Sequence, residues 1–327
     1  MDLSTKYMGL TLKNPVIAAS SGLTSSVEGV VELEKAGAAA VVLKSLFEEQ
    51  IMHNYKSKLE GFNMESVYPE AEDYINHHSR MQDVEEYLKL IRDCKKAVKI
   101  PVIASINCIS AAEWVNFSLD IEAAGADALE LNLSIQPSDT QRHCGQIEEL
   151  YIEILNDIIK KVKIPVSIKI SPYFSGLTKS ALRFSFTGIK GMVLFNRYYT
   201  PDIDIETFEI VNGPVFSSPD DLNLPLRWIA MLSERVVCDI AASTGVHDGE
   251  AMVKVLLAGA KAAQVCSVLF QDGIYEIRTM LDFLEDYMKR HSFETVAEFT
   301  GRMSMRKTEN PAAFERVQFM KYFAEIE

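Results

Sequence analysis

The sequence most plainly lacks paired cysteine. Its five cysteines, Cys94, Cys108, Cys144, Cys238 and Cys266, are scattered and form no CxxC motif. An odd, unclustered set argues for reduced thiols in a cytoplasmic setting, and against an iron–sulfur cluster or structural zinc. Histidine is sparse, with six in all. His77 and His78 adjoin, but neighbours on a helix point apart, so the pair is a poor chelate and reads as surface; no metal is expected. Positive charge is in deficit. A net charge of -13 sets up a field that repels a phosphate backbone, which excludes nucleic acid as a partner class. Long apolar runs are missing as well. The opening MDLSTKYMGLTLKNP has no basic start followed by an apolar core, so no secretory signal is expected. The stretch from Met252 to Phe270 is broken by Lys254, Lys261 and Gln264, and reads as helix, turn and strand rather than a membrane span.

Apolar residues are plentiful in total. A chain of 327 residues that is 48% hydrophobic and 24% charged has the balance of a protein with a sizeable core, which disordered chains lack. Single α/β barrels reach this length.

The organisation shows in repeated phrases. AGAAAVVLKS from Ala36, AGADALELNLS from Ala124 and AGAKAAQVCS from Ala258 each open with an Ala-Gly-Ala triplet, where glycine permits the left-handed end of a helix. Each then runs into a short apolar stretch with polar residues at its end. KIPVIASINC from Lys99 and KIPVSIKISP from Lys163 share another opening, in which proline stops a helix before a strand. These strands are short, continuous and rich in Val, Ile and Ala, the pattern of parallel strands covered on both faces. Candidate strands lie near 16–20, 39–44, 102–106, 127–132, 165–170, 191–196, 236–242 and 262–267. Helical patterns lie between most of them. SAAEWVNFSLDIEAAG places Trp114, Phe117, Leu119 and Ile121 on or near one side, with Ser110 as N-cap. Eight strands alternating with helices predict a single (β/α)₈ barrel domain over 1–327. An open doubly wound sheet is the alternative, weakened because no Gly-rich dinucleotide turn follows the first strand. Residues 46–85 and 197–227 exceed a plain barrel and are expected to be insertions at the mouth, where substrate loops sit.

Barrel chemistry gathers at the carboxyl ends of strands. Here those ends carry Ala19-Ser20, Lys44-Ser45, Asn107, Asn132, Lys169, Asn196, Ser243-Thr244-Gly245 and Cys266-Ser267. Any one serine or asparagine is as well explained as a strand cap. Lys44 and Lys169 differ, because each follows an almost wholly apolar strand, where a buried ammonium needs an acceptor. Two lysines and two asparagines converging on one mouth fit an electron-rich planar ligand. A lysine beside a flavin N1–C2=O edge would stabilise the charge that reduction puts there. The turn STGVHDGEA and Ser267 fit a phosphate, since loops seven and eight form the usual barrel phosphate site.

Taken in order, these motifs resemble the dihydroorotate dehydrogenase family, especially its soluble class 1 members, over nearly the whole chain. LKNPVIAASSG, VVLKS, SINCISAAEW, LELNLS, VSIKISPYF, ASTGV and LLAGAKAAQVCS carry the resemblance. It implies FMN held by Ala19, Ser20, Lys44, Asn132, Lys169, Asn196, Thr244, Gly245, Cys266 and Ser267, with Lys169 as the lysine at flavin N1/O2. It also implies a homodimer. The departures fall on the substrate side. Where the family has Cys or Ser as its catalytic base after Asn-Leu-Ser, this chain has Ile135. Pro137 stands where Asn is usual, the orotate-clamping loop is not recognisable in GFNMESVYPE, and Arg197 follows Asn196 in place of Ser or Thr. Thr244 replaces the first glycine of the phosphate loop.

The expectation is an FMN-dependent oxidoreductase acting on a CH–CH bond of a small molecule, as in pyrimidine biosynthesis, with its substrate altered. Lys44 is a catalytic candidate, and a relocated base would come from His143, Cys144 or Tyr199. The alternatives are dihydroorotate turnover with an unusual base, and a flavoprotein that passes electrons to a partner or only binds FMN.

Overall fold

A computed structural model of the chain describes residues 1–47, 69–107, 111–133, 135–198 and 200–315. The side chains of 47, 69–82, 111–114 and 144 lie outside the description, so the expectations placed on His77, His78, Ser110, Trp114 and Cys144 do too.

The chain begins with an antiparallel hairpin, β1 (Thr5–Tyr7) and β2 (Leu10–Leu12). The barrel is built from β3 (Val16–Ala18), β4 (Ala40–Val42), β6 (Val102–Asn107), β7 (Ala128–Asn132), β8 (Val166–Ile170), β9 (Gly191–Leu194), β12 (Asp239–Ser243) and β13 (Ala262–Val265). They pair in parallel in the order β4-β3-β13-β12-β9-β8-β7-β6, and pairing of β6 with β4 closes the ring. A short β5 (Leu46–Phe47) adds to β6. The insertion after β9 forms an antiparallel hairpin, β10 (Pro201–Asp204) and β11 (Glu209–Asn212). The eight expected strands are these barrel strands. The seventh starts later than expected: Val237 is 66% exposed and the chain enters the sheet only at Asp239.

Helices cover the outside. Ser26 caps Val27–Ala36 by accepting from Gly29 N–H at 3.2 Å, and Asp248 caps Gly249–Ala258 by accepting from Ala251 N–H at 2.7 Å. Both helices end on the glycine of an Ala-Gly-Ala triplet in the left-handed region, Gly37 at φ 114° and Gly259 at φ 119°. In the helix Ala111–Ala123, Phe117 and Ile121 are buried but Leu119 is exposed, against expectation. Residues four apart share a helix face, and Leu119, two from each, faces away.

Strand alternation splits the core in two. One set, including Leu129, Leu131, Ile168, Ile170, Met192, Ile240 and Val265, faces the helices. The other, including Ile17, Val42, Ile103, Ala128, Val193, Ala241 and Ala262, fills the barrel bore with Tyr7, Met8 and Leu12 of the hairpin. The hairpin thus plugs the amino-terminal end and leaves the carboxyl-terminal end open. No helix among the described residues is long and apolar enough to cross a membrane.

Candidate active site

Alternation along β8 decides what stands at the open end. Ile168 and Ile170 face the helices, so Ser167 and Lys169 face the bore. Lys169 is 9% exposed, and its ammonium donates to Gln264 Oε1 at 3.2 Å. Gln264 in turn donates from Nε2 to Glu130 Oε2 at 2.5 Å. Above this polar layer lies a cavity of about 480 Å³, within the range of small-molecule and cofactor sites.

Ala19, Ser20, Lys169, Asn196, Thr244, Gly245, Cys266 and Ser267 all line this cavity. Ser20 is tied to the end of β4 by bonds to Ser45, whose backbone N–H reaches the Ser20 hydroxyl at 2.8 Å. Asn132 sits behind Asn196, accepting on Oδ1 from its Nδ2 at 3.0 Å. Burial pushes the Cys266 thiol up from its ordinary range, while the nearby Lys169 charge pulls it back.

Hydroxyl groups and a tight turn are concentrated on one side of the cavity. Gly245 takes φ 80°, and a Cβ there would meet Leu222 N at 2.1 Å, so only glycine lets the loop pack this closely. Thr244, at φ 74°, tolerates a conformation unusual for a β-branched residue; its hydroxyl donates to Phe195 O at 3.1 Å. Ser217, buried and supplied by the insertion, bonds the Ser267 hydroxyl at 3.0 Å from both its N–H and Oγ, and its Oγ lies 2.9 Å from His247 Nε2.

Not every expected residue converges. Ser45 turns inward to Ser105 (2.7 Å between hydroxyls), so Lys44 beside it turns out. Lys44 is exposed in a neighbouring cleft with Asp83 and Glu86. His143 is also exposed, at the start of the helix Cys144–Ile159, in a surface cleft with Arg142 and Glu149 rather than in the cavity. Tyr199 lies outside the described residues, as does Ser134. Ile135 packs against the helix-side core, and its N–H donates to Tyr151 OH at 3.1 Å.

The insertion supplies the rest of the rim. Arg197 Nη1 donates to the carbonyls of Pro214 (2.9 Å) and Val215 (2.5 Å), which pins the insertion over the cavity. Tyr198 stacks on Tyr173 at 5.6 Å, and its buried hydroxyl has no hydrogen-bond partner among the described residues. Beyond Arg197 and Tyr198 a second space of about 810 Å³ opens, sharing Asn196 and Thr244 with the first.

A family model described as dihydroorotate dehydrogenase matches residues 2–288. The chain belongs to the dihydroorotate dehydrogenase family. The catalytic subunit of dihydroorotate dehydrogenase B (NAD(+)) from Thermoplasma volcanium is 27% identical over 308 residues, covering 92% of this chain and 98% of that protein. The protein of the same name from Methanothermobacter thermautotrophicus is 26% identical over 309 residues, covering 91% and 97%. Within this dihydroorotate dehydrogenase frame, strand-end reasoning missed Glu130, Gln264 and Ser217. The first two had a signal: each is a polar residue inside an apolar strand, two places before Asn132 and Cys266. Ser217 had none, because only the fold of the insertion brings it against Ser267.

Proposed function

We propose that this chain is an FMN-dependent oxidoreductase of the dihydroorotate dehydrogenase type whose small-molecule substrate has changed. The observation that carries the reading is the buried ammonium of Lys169 on the floor of a cavity with hydroxyl donors along one side. The residues fit the cofactor. Ser217, Ser267 and the tight turn at Gly245 would hold the phosphate, with His247 reinforcing Ser217. Bound FMN supplies a hydride acceptor at N5 and collects negative charge on its N1–C2=O edge. Lys169 would stand at that edge and stabilise the charge, a role worth several kcal/mol in a site shielded from water. Asn132 and Asn196, bonded to each other, would orient the reacting carbonyl of a substrate.

The substrate reading rests on what replaces the usual groups. Ile135 has no proton acceptor, and general-base help is typically worth ~10²–10⁴ in rate. Arg197 brings a guanidinium to the rim of both spaces, which favours a substrate with an anionic group. Slow or absent oxidation of dihydroorotate is therefore expected. Purified protein should show a flavin spectrum and release FMN on denaturation. Protein without flavin that cannot be reconstituted with FMN would overturn the reading. Anaerobic mixing with dihydroorotate tests the substrate: bleaching at an enzymic rate would restore dihydroorotate, whereas a flavin that no small molecule reduces would favour an electron carrier. We further propose that residues 1–327 act as one domain in the cytoplasm and as a homodimer. Ile203 and Ile210, cross-strand partners in the β10–β11 hairpin, are 66% and 75% exposed, and Phe208 at its tip is 88% exposed. A monomer in sedimentation equilibrium would overturn the dimer.

A further inference from the structure

Beneath the cavity lies a polar layer drawn from three strands: Glu130 on β7, Lys169 on β8 and Gln264 on β13. Glu130 is 1% and Gln264 2% exposed. A buried carboxyl and a buried primary amide are costly unless their hydrogen bonds are made, so the arrangement needs a reason.

The reason lies in the two unlike ends of an amide. Lys169 can only donate, and it reaches Gln264 Oε1 at 3.2 Å. Glu130 Oε2 accepts from Gln264 Nε2 at 2.5 Å. Turning the amide over would set its NH₂ against the ammonium and its carbonyl against the carboxyl oxygen, losing both bonds. Glu130 therefore fixes the one orientation in which Gln264 offers Lys169 an acceptor. Among the described residues, Tyr7 from the hairpin and Tyr87 from the helix Pro69–Ala97 also interact with Glu130. Burial pushes the Glu130 carboxyl up, and the Lys169 charge and the Gln264 bond oppose it. Without an acceptor, the four-carbon stem of Lys169 is free to swing the ammonium away from the floor.

We propose that Glu130 and Gln264 are positioning residues: Glu130 orients the Gln264 amide, whose carbonyl holds the Lys169 ammonium where the N1–C2=O edge of the flavin lies. The inference rests on the FMN reading above.

Sulfite is a direct probe of that cation. Its sulfur lone pair forms a bond to flavin N5, and the displaced electron pair comes to rest on the N1–C2=O edge, with no other reactant. Sulfite titration of the FMN-loaded protein then reads the local positive charge independently of turnover. Lys169→Met should weaken sulfite binding about 100-fold, the scale for losing one preorganised electrostatic group. Gln264→Met should weaken it about tenfold, the effect of losing a hydrogen bond to a charged group. In the Lys169→Met background the Gln264→Met change should do nothing further, because the pair acts as a unit. Glu130→Gln, nearly isosteric, should show the same coupling more weakly and serves if Gln264→Met does not fold. Equal weakening by Gln264→Met in both backgrounds, or none in either while Lys169→Met weakens binding, would overturn the positioning role and leave the FMN reading intact. Unchanged sulfite affinity in Lys169→Met would instead remove Lys169 from the flavin edge and with it the positioning role, whereas protein that cannot be loaded with FMN would overturn the FMN reading itself.

Discussion

At its amino-terminal end the barrel is filled by Tyr7, Met8 and Leu12, all at most 2% exposed, while at its carboxyl-terminal end the same strands open onto a cavity floored by Lys169. The fit at the closed end is tight: a Cβ on Gly191 would meet Met8 Cγ at 2.7 Å and Tyr7 OH at 2.8 Å. At the open end the bore carries a cation, an amide and a carboxyl where the closed end carries rings and methyl groups. One set of strands thus separates stability from chemistry along its own length, as barrels generally do. Substitutions at the two ends should therefore affect different measurements.

The largest effect is expected from Tyr7→Ala. Removing a wholly buried ring should cost roughly 3–5 kcal/mol of stability, read as a fall in the denaturation midpoint. FMN affinity of the protein that remains folded should not change; a proportional loss of affinity would mean that the plug and the cavity form one unit. Next comes Lys169→Ala. Stopped-flow flavin reduction by the physiological reductant, or by dithionite where none is known, should slow about 100- to 1,000-fold. The thermal midpoint should hold, because the substitution also removes the cost of a buried charge. A large fall in midpoint would make Lys169 a structural residue first.

The two ends were unequally legible in the sequence. The barrel could be read because most strands are local apolar runs, opened by an Ala-Gly-Ala triplet or a proline and followed by polar residues. Lys169, Gly245 and Ser267 could be read because a strand end has a known place in a barrel. The plug was invisible: Tyr7 and Leu12 look like an ordinary polar–apolar start, and what they pack against comes from strands far along the chain. Lys44 and His143 were misplaced for a related reason. Spacing along the chain says that a residue ends a strand or starts a helix, but the turn at Ser45 and the exposure of the helix start at His143 decide which way it faces. Glu130 and Gln264 required knowing that β7, β8 and β13 bring one interior layer together across the bore.

Gly245→Ala should blur the comparison at one point. It is a mouth residue, yet its φ of 80° and the 2.1 Å approach to Leu222 N make it a packing residue as well. The left-handed conformation alone should cost roughly 1–3 kcal/mol. FMN affinity and the denaturation midpoint should fall together, measured by flavin release and thermal unfolding on the same sample. Loss of affinity at an unchanged midpoint would show that the loop yields without disturbing the insertion.

The smallest effect is expected at the closed end, from Asp239→Asn, and its sign depends on pH. Asp239 Oδ2 accepts from Met8 N–H at 2.9 Å and so anchors the plug. Burial pushes its carboxyl up; the Met8 bond and the Lys261 charge oppose this without cancelling it. The folded protein therefore holds this proton more tightly than the unfolded chain, whose carboxyl titrates at about 3.9. A raised acid favours the fold below that unfolded value, and the contribution is lost as pH rises through the folded value. At neutral pH wild type thus carries a partly buried charge at net cost. Asparagine keeps an oxygen for Met8 N–H and never ionises. The difference in midpoint, variant minus wild type, should grow from pH 4 toward neutrality and then level off. A difference that shrinks over that range would reverse the sign and mean that Met8 and Lys261 outweigh burial. FMN affinity should stay level throughout, since none of Met8, Asp239 and Lys261 lines the cavity; an affinity that tracked the midpoint with pH would join the two ends.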